Sequence, residues 1–453
     1  MNTIKRYFKT LLLLFSLTGC GKEFLDIKRN SNQVVPKNIS DYQALLDYNP
    51  VMNNAGSFEL VCLGTDEYTL PGKTWETASP VYYTHVKNGY IWADDVYEGK
   101  EVNDWNWAYQ RIMYANLALD VDKLEVSPDQ ENNRNNVRGQ AMFHRAFTFY
   151  QLVQAFCKPF NPGSAETDPG IPLRLDYDVS VTVDRGTLKE VYAQILQDLT
   201  TAVDLLPDFQ ENNYRPSRLA TYALLARVYR EMDRWDEALA SVQYVLERKL
   251  DLLNFNDFDD AGLYSFENMN RGLLNPEILF YCHTSAGYIQ SNGVVTEEFI
   301  NKYKDHDLRK YLFFKDDKKF YGSYAGFNYF TGLAVDEVLL IRAECLARKG
   351  NFKAAAEDLG RLLSHRYETD KVPAIAEDLT TLQLIKEERI KELYLRGTRW
   401  SDIRKANLTK ETEIMLKRDI NGAIYTLLPN DDKWVWPIPD NELRSTSVLQ
   451  NPR

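Results

Sequence analysis

The chain has 453 residues, a net charge of −11 and 13% aromatic residues, among them 28 Tyr and 8 Trp. It is long enough for one large core or two smaller ones, and its acidic balance, without a long basic run, argues against a nucleic-acid partner. Beyond Cys20 only Cys62, Cys157, Cys282 and Cys345 remain, far apart and without a CxxC, which argues against a zinc site or a dense disulfide scaffold and leaves buried thiols with at most one disulfide.

The first element is a leader. Lys5, Arg6 and Lys9 precede an apolar run from Leu11 to Leu17, far shorter than the roughly 20 residues of a spanning helix. A basic start, a short apolar middle and small residues before a cut site describe a secretory signal. Leu17-Thr18-Gly19-Cys20 resembles the bacterial lipobox, in which the cysteine is lipidated and becomes the new N-terminus. The expectation is a signal peptide over 1–19, a lipidated tether over 20–40 and one domain over 41–453. Acyl chains on Cys20, worth roughly 0.8 kcal/mol per buried CH2, would hold the chain on a membrane.

Helical periodicity follows. Residues 103–124 place Trp107, Ile112, Ala115, Leu119 and Val121 toward one face, and Trp105 and Trp107 are expected in the core. A second amphipathic helix spans 137–157, and a third runs over 188–207 to Pro207. Residues 217–232, opened by Ser217, and 234–249 form a helix pair. Residues 335–366 repeat that design around Gly350-Asn351. Aligning ALLARVYREMDRWDEALASVQYVL with IRAECLARKGNFKAAAEDLGRLL gives one small-residue pattern, that of tetratricopeptide (TPR) repeats. Such pairs cannot bury their apolar faces alone and must stack. The fold class expected is mainly α: a TPR-like helix-pair scaffold, with helices over about 103–156, 188–249 and 335–405. Large irregular loop insertions at 56–102, 157–186, 250–334 and 406–453 interrupt it. Loops this long usually have a function, and their aromatic richness argues against disorder.

Five segments, in order, resemble the SusD/RagB-like outer-membrane lipoproteins. The lipobox is followed by Phe24-Leu25-Asp26, and Trp105 to Asn116 resembles the family's W…Y..I..AN helix. RGQAMFHRAFTFYQLVQAFCKPF (138–160), IKEERIKELYLRGTRWSDIRK (385–405) and WPIPDNELRSTSVLQNP (436–452) match its later motifs. Gln140, Cys157 and Arg396 depart from it, standing where the family usually shows Glu, Gly and Glu. The resemblance implies a binding protein without catalysis or cofactor. Such a protein would capture nutrient glycans, or peptides in RagB-type relatives, and pass them to a SusC-like TonB-dependent transporter at the cell surface.

The residues themselves carry no strong catalytic or metal signature. Glu388 and Glu392 stand four apart on one helix face, but Arg389, Arg396 and Arg399 lie within reach and favour a charge-paired network. The five histidines show no HExxH or HxxxH spacing. The acidic loop 254–268 fails the EF-hand template, since Ala261 falls where an oxygen ligand belongs.

The aromatic loops are the informative feature. Sugar rings stack their C–H faces on Trp and Tyr while polar groups bond their edges. The expected ligand-binding residues are Tyr68, Trp75, Tyr82, Tyr83 and Trp92 from the first insertion, with Tyr288, Tyr321 and Tyr324 from the third. The alternative is that each ring anchors its own loop. The alternative functions are a peptide-binding RagB-type receptor of the same fold, and a TPR-like interaction protein that binds no nutrient.

Overall fold

The structure, a computed structural model, describes residues 36–54, 59–259, 261–266, 274–284 and 287–453; the expected signal peptide, Cys20 and the tether as far as residue 35 lie outside them. Residues Ile39–Arg453 form one compact unit.

Nine helices of eleven or more residues, among the described residues, build the scaffold: α1 (Asn103–Ala118), α2 (Glu131–Phe156), α3 (Leu188–Leu205), α4 (Arg218–Glu231), α5 (Trp235–Leu246), α6 (Val335–Arg348), α7 (Phe352–Leu363), α8 (Thr380–Glu392) and α9 (Arg399–Thr409). Sequence-adjacent helices pack on each other from α1 to α7, α5 of the first pair against α6 of the second, and α8 lies on α6 and α7. Apolar faces that no single pair could bury thus merge into one main core reaching from Leu60 to Val448. A satellite cluster of Tyr42, Leu46, Met52, Val121 and Val137 docks the short helix Ile39–Leu46.

Local chemistry fixes the helix ends. Thr187 and Glu190 close a capping box at the start of α3, and Ser217 Oγ accepts from Ala220 N–H at 3.2 Å at the start of α4. Both TPR-like pairs turn through the same C-terminal motif. Gly350, at φ +79°, donates to Ala347 O at 3.0 Å, and Asn351 donates to Leu346 O at 2.9 Å. In the first pair Asp233, at φ +58°, donates to Arg230 O and Arg234 donates to Tyr229 O. These are Schellman turns with a left-handed residue after the helix cap.

Buried ion pairs tie the helices together. Arg227 of α4 meets Glu337 of α6, and Arg230 of α4 reaches Glu344 of α6 at 2.6 Å and Asp402 of α9 at 2.8 Å. Glu388 and Glu392 belong to the same web. Arg309 contacts them at 2.7 and 2.9 Å, and Arg366 links Glu392 to Glu277. The two carboxylates are buried among these guanidinium groups. Arg396 is paired with buried Asp336 at 2.8 Å.

Among the described residues, the insertions are built on the scaffold by short helices and four two-stranded sheets. One hairpin, Leu416–Ile420 with Ala423–Leu427, turns at Asn421-Gly422, both at positive φ. Cys62, Cys157, Cys282 and Cys345 are free and buried.

Trp107 departs from expectation. It is 41% exposed, whereas Trp105, Ala108, Ile112 and Ala115 form the buried stripe of α1. The reason is the 100° step of the helix: Trp107 lies some 140° from Ile112, off the face that the other four share.

Candidate functional site: an aromatic platform

Four of the eight expected rings come together on one surface. The short helix Gly72–Thr77 carries Trp75, the loop before helix Thr84–Tyr90 carries Tyr82 and Tyr83, and helix Gly287–Asn292 carries Tyr288. Tyr83 packs on Tyr288 with ring centroids 4.5 Å apart, and Tyr82 meets Tyr83 edge-on at 6.4 Å. Tyr82 stands 75% exposed, Tyr83 is half-buried, and Tyr288 is buried beneath it. The Tyr288 hydroxyl donates to Thr74 O at 2.7 Å, which joins these three rings to Trp75 next in sequence. A ring held from below by another ring and a hydrogen bond loses little freedom when a ligand lands on it.

Trp75 is likewise set in place. Its indole N–H donates to Lys87 O at 2.8 Å, and the Lys87 ammonium sits 4.9 Å from its ring centre. Tyr425, from the C-terminal hairpin, lies 6.5 Å from Trp75. The hairpin is pinned there by Asn421 Nδ2, which donates to Glu76 Oε1 at 2.6 Å. Gly72 leaves room for this contact, since a Cβ there would fall 2.1 Å from Asn421 Oδ1. Tyr425 was absent from the expected residues, although Asn421-Gly422 between alternating residues is a hairpin signal.

Polar groups border the rings. Gln290, on the helix of Tyr288, donates to the Phe327 carbonyl, and its Oε1 has no hydrogen-bond partner among the described residues. Asn292 donates to Tyr288 O at 3.0 Å. Lys87, Glu76 and Gln290 supply donors and acceptors beside flat apolar faces, the combination a sugar ring requires.

Tyr321 forms a separate partly exposed patch with Tyr264 at 5.6 Å. Its hydroxyl donates to Asp317 Oδ2 at 2.8 Å; burial and that carboxylate push the phenol up to about 12.

Tyr68, Trp92 and Tyr324 are corrected. They are 2%, 1% and 3% exposed, and they anchor loops on the scaffold. Tyr68 donates to Leu63 O at 3.1 Å. Trp92 donates to Gly64 O and lies under the Arg418 guanidinium at 5.0 Å, with its backbone in the left-handed region at φ +53°. Tyr324 donates to Glu277 Oε2 at 2.8 Å with Arg396 over its ring. In each case the hydroxyl or indole N–H finds a protein partner inside, so the whole ring can be withdrawn from water. Aromatic density in a loop does not by itself separate an anchor from a platform.

Among the described residues no group of three His, Cys, Asp or Glu side chains is placed to hold a metal ion, and 260, 267 and 268 of the acidic loop lie outside the description.

Two family models match consecutive parts of the chain. One, SusD-like and described as starch-binding associating with outer membrane, covers residues 23–230, and the SusD family model covers 258–453. The SusD-like protein P2 of Formosa agariphila is 32% identical over 214 residues, which is 46% of this chain and 38% of that protein. The aligned part thus spans well under half the length of that curated relative. Among solved structures, a putative sugar-binding protein from Bacteroides vulgatus superposes with a TM-score of 0.75 at 20% identity, covering 93% of this chain and 99% of that one. A SusD superfamily protein from Bacteroides thetaiotaomicron gives 0.73 at 19% identity, covering 92% and 100%. A laminarin-binding SusD-like protein gives 0.63 at 17% identity, covering 92% and 100%. At these identities the superpositions establish the fold alone, mainly α.

Proposed function

We propose, from the premise that the chain belongs to the SusD/RagB-like family, that it captures glycan chains on the platform of Trp75, Tyr82, Tyr83, Tyr288 and Tyr425. The carrying observation is Tyr82 and Tyr83, a largely exposed ring and a half-exposed one, backed by buried Tyr288 and bordered by amide and charged groups. Extended oligosaccharides would stack across these rings, and the protein would do no chemistry on them. The starch-binding description of the family, and the sugar-binding and laminarin-binding proteins among the structural neighbours, support this ligand class.

Capture would take place at the outer membrane. Cys20 would carry the lipid, the chain would face the cell surface, and a SusC-like TonB-dependent transporter would receive the ligand. The lipobox sequence and the family description as associating with outer membrane support this placement.

Calorimetry of the detergent-solubilised full chain against laminarin, starch, xylan and mannan tests the reading. We expect binding to one of them, with Tyr82→Ala/Tyr83→Ala weakening it about tenfold or more, since stacking of this kind is worth about 0.5–1.5 kcal/mol per ring pair beyond buried area. No heat with any glycan, together with peptides co-purifying with the chain, would remove the sugar assignment.

A further inference from the structure

A second cleft, on other loops, carries its own ligand chemistry. The connection between α3 and α4 and the segment leading to strand Ile278–Phe280 enclose a cavity of about 250 Å³. Its walls bring Asn212, Asn213 and Asn275 together with Phe209, Leu274 and Ile278. Asn275 is 3% exposed; its Oδ1 accepts from Glu277 N–H at 2.9 Å, while its Nδ2 has no hydrogen-bond partner among the described residues. Asn275 lines the cleft, and a ligand oxygen that reached its buried N–H2 would satisfy a donor that is costly to leave unbonded. Phe209 adds a ring 59% exposed.

The charges of the cleft are already matched. Arg215 is held by both carboxylate oxygens of Asp47 at 2.8 Å and by Glu211 at 2.9 Å, and Lys249 lies 3.6 Å from Asp251. Nothing therefore calls for an anion or a cation. Tyr48, next to Asp47, is half-exposed and stacked on Tyr114 of α1 at 6.1 Å.

We propose that this cleft is a second carbohydrate site, taking one or two neutral sugar rings. An unbonded amide, an exposed aromatic face and neutralised charge match hydroxyls on a saturated ring. A volume of about 250 Å³ is below the usual range for drug-sized ligands and suits so small a unit. A glycan held on the platform and again here would be bound at two points, raising avidity when its length spans both.

The test uses crystals of the full chain carrying Tyr82→Ala/Tyr83→Ala, soaked with laminarihexaose, maltohexaose, xylohexaose, cellohexaose or trialanine at about 10 mM. Sugar density against Phe209 and Asn275 is expected with at least one hexasaccharide. Adding Phe209→Ala, a change at an exposed ring, should abolish it. A cleft empty with all four sugars, or occupied by trialanine instead, overturns the inference. A sugar in the cleft of a chain whose platform binds none keeps this inference and rejects the platform reading.

Discussion

Two aromatic side chains, Trp92 and Tyr82, come from the same insertion with opposite fates. Trp92→Ala removes a ring packed beneath Arg418 and bonded to Gly64 O, and is expected to lower stability by about 3–5 kcal/mol. Denaturant unfolding followed by circular dichroism measures it, and a change under about 1 kcal/mol would contradict the buried placement. Glu67 offers a pH test. Burial pushes its carboxyl up to about 7, against the pull of the Leu395 N–H, which donates to Oε1 at 2.7 Å. The folded chain holds this proton where the unfolded chain has lost it. The linked stability is therefore present below about pH 4.5 and is lost as pH rises through about 7. Glu67→Gln should remove that loss, raising relative stability at pH 8 over pH 5.5 by on the order of 1–3 kcal/mol. Equal responses of the two proteins between those pH values would contradict it.

The helix pair is the element that the sequence described most faithfully. Its two copies share one small-residue pattern, and both close with Schellman turns at Asp233 and Gly350. Gly350 has open space around its missing Cβ, so only the left-handed backbone resists substitution. Gly350→Ala should cost about 1 kcal/mol, and Gly350→Asn clearly less, as measured by urea unfolding. Equal losses for the two would show that space, not backbone, is limiting. The loops were less legible. Their small-residue and aromatic content marked them as structured insertions, yet the fate of each ring depended on distant partners. Tyr324 is buried by Glu277, and Tyr83 is supported by Tyr288, across separations of 47 and about 200 residues that local pattern cannot report. Tyr425 depended on a hairpin whose Asn-Gly turn was visible, but whose docking on Gly72 was not. Trp107 differs for a simpler reason: at 100° per residue it falls off the face that Trp105 and Ile112 share.

At the scale of the molecule, the ion-pair web makes the scaffold sensitive to acid. Burial alone would raise the carboxyls of Glu337 and Glu344, but Arg227 and Arg389 at the first, and Arg230 and Arg348 at the second, hold both at about 2. Their folded values lie below the unfolded value of 4.5, so their stabilisation is complete above about pH 4.5 and is lost as pH falls toward 2. Melting temperature should therefore drop steeply below pH 4.5. Glu337→Gln should flatten that drop while costing about 3–5 kcal/mol at pH 7, because Arg227 is left buried without its partner. A variant as stable as the parent at pH 7 would show that the web is dispensable.

The four hidden thiols turn the chain into its own reporter. Burial pushes Cys157 up to about 11 and Cys345 up to about 12, so neither offers thiolate to an alkylating dye at neutral pH. Cys62 lies in a short helix within the first insertion, Cys157 caps α2, Cys282 sits between short strands and Cys345 lies inside α6. Each region that opens under heat or urea would bare one sulfur at a known address. Mass spectrometry of pulse-alkylated peptides would then read the order in which the scaffold and its excursions come apart.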